Sequence, residues 1–252
     1  MKTKIFLILT LLSSIGNIYA LSFNDGYVHD VNSVIDDYIH VQNDPFWDYP
    51  TTVNILDDGI VNNTITPYDD SILNIYGGTV LSIFGRDNSI IHFDSGLING
   101  WISLYNNSQL FIDGGEIYVS QLSLKHFSEL FIYSGSIAIG EYKLEIFDYS
   151  TATIYGSNFT INGRPVQNNI YKQGSGLLQG TLQSGDNISI EFRLDTVGSA
   201  SLVLSPQMEP YCIEYPIMDF NRDCKVDLID FAEFASQWMT CNLEPQSFCF
   251  QQ

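Results

Sequence analysis

Apolar and polar residues alternate along the middle of the chain in a phrase that recurs between residues 71 and 159. Each copy begins with Ser, continues with two apolar residues separated by one spacer, passes through a short turn and ends in another apolar residue. The copies read SILNIYGGTV (71–80), SIIHFDSGLI (89–98), SQLFIDGGEI (108–117), SELFIYSGSI (128–137) and STATIYGSNF (150–159), after a copy without Ser, TVNILDDGI, that ends at Ile60. Successive copies are 18 to 22 residues apart.

This period predicts an all-β fold, a single-stranded β-solenoid (parallel β-helix) of about six coils. In such a fold each coil buries its inward side chains only against the neighbouring coils, so no copy folds alone. A meander of antiparallel hairpins would use the same alternation, but hairpins do not require a constant period. Three inward ladders are expected: Val53, Leu73, Ile91, Leu110, Leu130 and Ala152; Ile55, Ile75, Phe93, Ile112, Ile132 and Ile154; and Ile60, Val80, Ile98, Ile117, Ile137 and Phe159.

Turn residues also recur at fixed places in the phrase. The pairs Gly77-Gly78, Ser95-Gly96, Gly114-Gly115 and Ser134-Gly135 predict tight or left-handed backbone at a coil corner. The leading Ser follows Asp or Asn in three copies, which is turn chemistry. A second alternating run between the phrases, such as residues 101–105, predicts at least two strands per coil.

The two ends of the array differ from its middle. Alternating runs at 27–31 and 38–41 predict a first, irregular coil that covers the open end. After residue 163 the period stops. Runs at 177–182, 188–194 and 200–204, the first two joined by 183–186, predict a terminal β cap that seals the far end against strand addition.

The repeated phrase and the segment GLLQGTLQSG at 176–185 resemble a loosely defined class of secreted bacterial short-repeat β-solenoid proteins. The resemblance covers about residues 25–204. It implies the solenoid fold and no particular activity.

The first twenty residues have the composition of a secretory signal peptide. Lys2 and Lys4 precede an apolar run from Ile5 to Leu12, and Ala20 ends a small-residue cleavage site. We therefore expect a secreted protein, extracellular or attached to the cell surface, with a signal peptide at 1–20, the capped solenoid at 21–205 and a small module at 206–252. No later stretch approaches the ~20 apolar residues of a spanning helix, so no transmembrane segment is expected in the mature chain.

The charge of the chain restricts its partners. The net charge of −19 opposes binding to nucleic acid and to anionic membranes.

All four cysteines, Cys212, Cys224, Cys241 and Cys249, lie in the last 41 residues. Outside the cell this number favours two disulfides that stabilise a small module. Three pairings are possible.

Residues 219–230, DFNRDCKVDLID, have the ligand spacing of a twelve-residue calcium loop. Calcium requires six to eight oxygen ligands around one point, and alternating ligands followed by a carboxylate on a helix supply them from one segment. The expected Ca²⁺ ligands are Asp219, Asn221, Asp223, the Lys225 carbonyl, Asp227 and Asp230. Apolar residues at helical spacing, including Phe231 and Phe234, then predict an exiting helix.

The loop and its helix resemble one repeat of a dockerin, which is an EF-hand type of calcium module that lacks the entering helix. The resemblance implies docking to a cohesin-like or cell-surface protein. Three departures weaken that implication: the chain has one repeat where dockerins have two, Cys224 stands where the loop normally has Gly, and cysteines take the place of the second repeat. Calcium with a purely structural role is the alternative.

One row of corner residues is a candidate active site. Leu56, Tyr76, Asp94, Asp113, Tyr133 and Tyr155 are expected to stack about 4.8 Å apart. Asp94 and Asp113 would then be neighbours that bind calcium and a uronan, or act as an acid/base pair in glycoside cleavage. A lyase also requires a base over the same groove, and Arg86 and Lys125 lie elsewhere in their coils. The tyrosines could form a sugar-binding platform or simply pack.

The sequence therefore favours a non-catalytic extracellular repeat protein, a spacer or adhesion surface with glycan contact, that carries a calcium-dependent attachment tail. The alternative is a small polysaccharide lyase or glycoside hydrolase that uses Asp94 and Asp113.

Overall fold

The computed structural model describes residues 20–44, 46–47, 49–140, 142–166, 169–206 and 231–232. Contacts divide the chain into two units, Met1–Gln207 and Met208–Gln252. The strands, all in the first unit, are β1 (Leu21–Phe23), β2 (Val28–Val31), β3 (Val34–Ile35), β4 (Ile39–Val41), β5 (Thr52–Ile55), β6 (Ile60–Pro67), β7 (Ile72–Ile75), β8 (Thr79–Gly85), β9 (Ile90–Phe93), β10 (Leu97–Ile98), β11 (Trp101–Leu104), β12 (Gln109–Val119), β13 (Gln121–Leu124), β14 (Glu129–Ile139), β15 (Leu144–Ile146), β16 (Thr151–Ile161), β17 (Arg164–Pro165), β18 (Ile170–Tyr171), β19 (Gly174–Leu182), β20 (Asn187–Leu194) and β21 (Ser201–Pro206).

These strands stack in parallel into three columns, which the chain visits in a fixed order. Column A contains β2, β5, β7, β9, the first halves of β12, β14 and β16, and β21. Column B contains β3, the first halves of β6 and β8, β10, and the second halves of β12 and β14. Column C contains β1, β4, the second halves of β6 and β8, β11, β13, β15 and the end of β20.

The fold is therefore a parallel β-solenoid, as the period predicts, and the hairpin meander is wrong for these columns. Each full coil contributes one strand segment to each of the three columns, and one strand can span two columns. Among the described residues column A holds eight strands, which makes about seven turns where the sequence indicated about six. Seven steps at the usual strand spacing give an array about 34 Å long.

The inward ladders of column A have the predicted register. Leu110 pairs with Ile91 and Leu130, and Ile112 pairs with Phe93 and Ile132. Each of these side chains is completely buried, because the strand period of two sends alternate residues to opposite sides.

The third predicted ladder is wrong at both ends. Val61, rather than Ile60, pairs with Val80 and is fully buried, because the turn before it is one residue longer than in the next coil and shifts the register. Phe159 leaves the ladder because β16 beyond Ile154 pairs antiparallel with β19. Column C supplies the third wall of the core, with fully buried residues that include Ile65, Ile83, Ile102, Leu122 and Leu144.

The leading serines form a buried column at the corner between columns C and A. The column contains Thr51, Ser71, Ser89, Ser108, Ser128 and Ser150, all with 0% exposure. Each hydroxyl bonds to backbone at the corner; for example, the Ser128 Oγ donates to the Leu104 carbonyl oxygen of the preceding coil at 3.3 Å and accepts the Lys125 N–H at 3.0 Å. The serines therefore connect coils as well as forming turns.

The residue two positions before each of these serines has left-handed backbone. It is Asp69, Asp87, Asn106, His126 or Asp148, with φ between 53° and 63°. Asn, Asp and His are the non-glycine residues that adopt this conformation most readily. At the following corner, between columns A and B, the second residue of each predicted pair (Gly78, Gly96, Gly115 and Gly135) has φ between 68° and 108°, as the sequence predicts.

The two ends of the array are closed differently. At the C-terminal end β19 and β20 form an antiparallel hairpin, and β20 adds in parallel to β15. The strand β21 is a further rung of column A, and β18 pairs with its far side. At the N-terminal end the predicted irregular coil is a regular one, because β2 and β4 occupy columns A and C. In the part of the chain described here, no helix is long and apolar enough to cross a membrane.

Candidate functional site

The outward side of column A changes character along the array. Its central positions begin as a polar ladder, in which Asn54 Nδ2 donates to Asp30 Oδ1 at 2.8 Å and Asn74 Nδ2 donates to Asn54 Oδ1 at 2.9 Å. The next three coils carry His92, Phe111 and Phe131, which we call the aromatic row. Coil stacking thus aligns residues that are about twenty positions apart in sequence.

The rings of the aromatic row are stacked along the axis of the array. The centroids of His92 and Phe111 are 5.0 Å apart with an interplanar angle of 17°, and those of Phe111 and Phe131 are 4.8 Å apart with an angle of 11°. This spacing equals the separation of neighbouring strands. The rings therefore cover one another's faces and present their edges to solvent.

The predicted corner row lies directly beside the aromatic row. Its members each follow the last inward residue of a column A strand; the Tyr76 N–H donates to the Ile55 carbonyl oxygen at 2.9 Å and the Asp94 N–H to the Ile75 carbonyl oxygen at 3.0 Å. The rings of Tyr133 and Tyr155 are stacked, with centroids 4.6 Å apart. The row is interrupted after Asp113, which pairs with Ser134 rather than with Tyr133 because the register shifts there. Its parts on either side form, and the tyrosine stack turns ring edges outward.

Asp94 and Asp113, which we call the acidic pair, lie on adjacent coils and are exposed. Partial burial raises the pKa of the Asp113 carboxyl, the negative charge of Asp94 raises that pKa further, and His92 opposes the shift. Gly114, which follows Asp113, packs so closely on the Asp94 carbonyl oxygen that a Cβ would collide with it. The two coils are thus held in close contact at the acidic pair.

The other predicted residues of interest lie apart from this face or outside the described residues. Arg86 and Lys125 lie at the corner that precedes column A, so neither stands beside the acidic pair in its row. The predicted calcium ligands Asp219, Asn221, Asp223, Lys225, Asp227 and Asp230 lie outside the described residues, as do the four cysteines and residues 1–19. Within the described residues, no group of three or more His, Cys, Asp or Glu side chains is arranged to hold a metal ion.

The sequence analysis missed a second aligned row at the corner between columns C and A. Tyr68, Arg86, Tyr105, Lys125 and Phe147 each stand three positions before a buried serine, so aromatic and cationic side chains alternate from coil to coil. The signal was present in the sequence at this fixed offset. It was hidden because these residues point outward and have no common polarity.

Comparisons of this chain with protein-family models, with curated proteins and with solved structures found no match.

Proposed function

We propose that residues 21–205 are a non-catalytic extracellular scaffold, a spacer or adhesion module, that contacts neutral glycan through the outer side of column A. The observation that carries this proposal is the aromatic row and its alignment with the acidic pair. A regular solenoid holds such rows in fixed positions, so that they are preorganised for an extended ligand.

The chemistry of the face favours a neutral sugar polymer. The ring edges of Phe111 and Phe131 form an apolar stripe, and the exposed carboxylates of Asp94 and Asp113 can accept charge-assisted hydrogen bonds from hydroxyl groups. An acidic polysaccharide would instead be repelled by these carboxylates unless a cation stood between them. The stripe runs along the array, so the ligand would lie parallel to the solenoid axis.

The remainder of the proposal rests on the sequence. Residues 1–20 would direct secretion, and the loop at 219–230 would bind Ca²⁺ and attach the scaffold to a cohesin-like or cell-surface protein.

Affinity electrophoresis of the mature chain through gels that contain a soluble neutral polysaccharide (xylan, β-glucan or galactomannan) tests the glycan contact. At least one gel should retard the protein. The double variant Phe111→Ser/Phe131→Ser should be retarded at least fivefold less than the native protein, because it removes the apolar stripe.

The matched control is Phe127→Ser/Tyr149→Ser, which removes another stacked pair, with centroids 5.3 Å apart, at a different corner. It should run like the native protein. Since Phe111→Ser/Phe131→Ser could also destabilise the fold, Asp94→Asn/Asp113→Asn provides a second variant of the same face. The melting temperature of each variant is compared with that of the native protein. Absence of retardation in all three gels, or equal losses in the control, would contradict the proposal.

A glycoside hydrolase is the second candidate, and the raised pKa of Asp113 beside Asp94 is the observation that favours it. A carboxyl whose pKa is raised beside a second carboxylate is a feature of glycosidase general acids. The strand spacing of about 4.8 Å is close to the 5–5.5 Å between the two carboxyls of a retaining enzyme. Release of reducing ends that is abolished in both Asp94→Asn and Asp113→Asn would establish this activity and replace the non-catalytic assignment.

A further inference from the structure

Cations and aromatic rings alternate along the corner between columns C and A. The Arg86 guanidinium lies between two rings, 5.8 Å from the Tyr68 centroid and 5.5 Å from that of Tyr105. The Lys125 ammonium lies between the next two, 5.3 Å from the Tyr105 centroid and 5.8 Å from that of Phe147. The Arg193 guanidinium follows at 5.6 Å from Phe147. We call Arg86, Lys125 and Arg193 the cation strip.

The spacing of the first two cations follows from the fold. Arg86 and Lys125 stand two coils apart in the same row, which corresponds to about 9.6 Å at two strand spacings. The next positions of this row are Phe147 and Asp195, and Arg193 lies two residues before Asp195 on β20, opposite Glu145. The aromatic residue of each intervening coil separates the cations and limits their mutual repulsion.

In the part of the chain that the structure describes, the first two cations of the strip have no carboxylate within ion-pair distance, although Asp87 and Asp148 carry negative charge at the same corner. Within the described part of the chain, neither Arg86 nor Lys125 forms an ion pair, whereas Arg193 lies 3.3 Å from Glu145 and Lys143 lies 2.8 Å from Glu191. Nearby corner carboxylates already accept hydrogen bonds along the corner. Asp87 accepts one from Asn106 Nδ2 at 2.7 Å, and Asp148 accepts one from the His126 N–H at 2.9 Å.

The outward positions of column C next to the strip include small polar side chains. Ser103 and Ser123 point outward, because Ile102 and Leu104 on the one strand and Leu122 and Leu124 on the other are fully buried. Yet these serines are only 8% and 2% exposed. The Ser123 Oγ donates to the Ser103 Oγ at 3.2 Å, so the two side chains are hydrogen-bonded to each other.

We propose that the cation strip binds an extended anionic polysaccharide, carboxylated or sulfated, along the corner of the solenoid. Ring stacking restricts the cations before binding, which lowers the entropic cost of ordering them. Each cation then donates charge-assisted hydrogen bonds to an anionic group. Arg86 and Lys125, about 9.6 Å apart, can each hold an anionic group of one extended chain. This surface and ligand class are distinct from the neutral-glycan face of column A.

Affinity electrophoresis of the mature chain tests the proposal, with gels that contain polygalacturonate, dextran sulfate or neutral dextran. EDTA is present, so that a divalent cation cannot bridge carboxylates on the protein to the polymer. One or both acidic polymers should retard the native protein in a manner that NaCl weakens, whereas any retardation by neutral dextran should not respond to NaCl. The gel that retards the protein identifies the anionic group.

The double variant Arg86→Gln/Lys125→Gln should weaken the apparent affinity at least tenfold. The matched control is Arg164→Gln/Lys172→Gln, which removes two exposed positive charges outside the strip and should change the affinity less than twofold. If the double variant does not reach the native melting temperature, Arg86→Lys/Lys125→Arg preserves the charges and should retain binding. The acidic-pair variant Asp94→Asn/Asp113→Asn should bind acidic polymer at least as well as the native protein. Binding of acidic polymer therefore does not depend on the acidic pair, and it can be established even if the neutral-glycan proposal fails.

Several outcomes would overturn the assignment. The variants would contradict it if the strip variant bound acidic polymer like the native protein, or if the strip variant and its control lost affinity equally. The gels would contradict it if neither acidic polymer retarded the protein, or if the retardation did not respond to NaCl. A competition assay would contradict it if oligo(dT) bound more tightly than either acidic polymer.

Discussion

Ser108 bonds twice to Tyr105, three positions before it: its Oγ donates to the Tyr105 carbonyl oxygen at 2.8 Å and accepts the Tyr105 N–H at 3.1 Å. Because Ser108 is fully buried, this pair closes the corner without access to water. The equivalent residues of the neighbouring coils make similar contacts, so the corner is a continuous column of hydroxyl groups.

Substitution of Ser108 by Ala should lower the free energy of unfolding by about 1 kcal/mol, the usual net value of a hydrogen bond. The loss stays modest because the Tyr105 N–H also donates to the Gly85 carbonyl oxygen at 2.9 Å. Urea denaturation measures the change. The exposed Ser136→Ala is the control and should differ from the native protein by only a few tenths of a kcal/mol. Native stability in Ser108→Ala would show that the column contributes nothing.

Substitution of Ile112 by Asp should unfold the array, because it places an unpaired charge between Phe93 and Ile132 in a ladder that neighbouring coils share. Far-UV circular dichroism and thermal melting report the loss. Tyr118→Asp adds the same charge at an exposed position of the same strand, β12, and should melt close to the native protein. Similar melting of Ile112→Asp and the native protein would contradict the assigned register.

Substitution of Asp113 by Asn should stabilise the protein at neutral pH and raise its melting temperature. The gain in the free energy of unfolding should be less than about 1 kcal/mol, because the residue is exposed. The folded state raises the pKa of this carboxyl above its ordinary value of 3.8. The folded protein thus holds the proton more tightly than the unfolded chain, and stability falls as the pH rises through the folded pKa. The gain should therefore disappear as the pH is lowered below 3.8. The control Asp58→Asn removes an equal charge elsewhere; the same pH-dependent gain in this control would argue for net charge alone.

Calcium binding to the tail is a prediction from sequence, since residues 219–230 lie outside the described residues. Calorimetry of the mature chain should detect Ca²⁺ at concentrations up to millimolar, and Asp219→Ala/Asp230→Ala should abolish the heat because both ends of the ligand set are removed. Asp94→Ala/Asp113→Ala should retain it. If only Asp94→Ala/Asp113→Ala lost calcium binding, the calcium site would lie in the solenoid and not in the tail.

The sequence by itself determined the class of fold, because burial imposes a strict pattern on inward positions. Apolar residues equivalent to Leu110 and Ile112 recur in the neighbouring coils at a nearly constant spacing. Left-handed positions such as Gly78 and Gly96 accept few other residues. The segments that pair as β19 and β20 were also recognisable, from alternating runs that flank a turn.

Only the tertiary structure decided how coils are divided into columns and which outward residues meet. A turn one residue longer places Val61 in the core instead of Ile60, and the antiparallel pairing of β16 with β19 removes Phe159 from its ladder. Arg86, Tyr105 and Lys125 stand at a fixed offset before the buried serines, but only the stacked coils show that their side chains meet. Burial restricts inward positions to apolar residues, whereas outward positions vary in polarity, so the contacts between them become evident only when the coils stack.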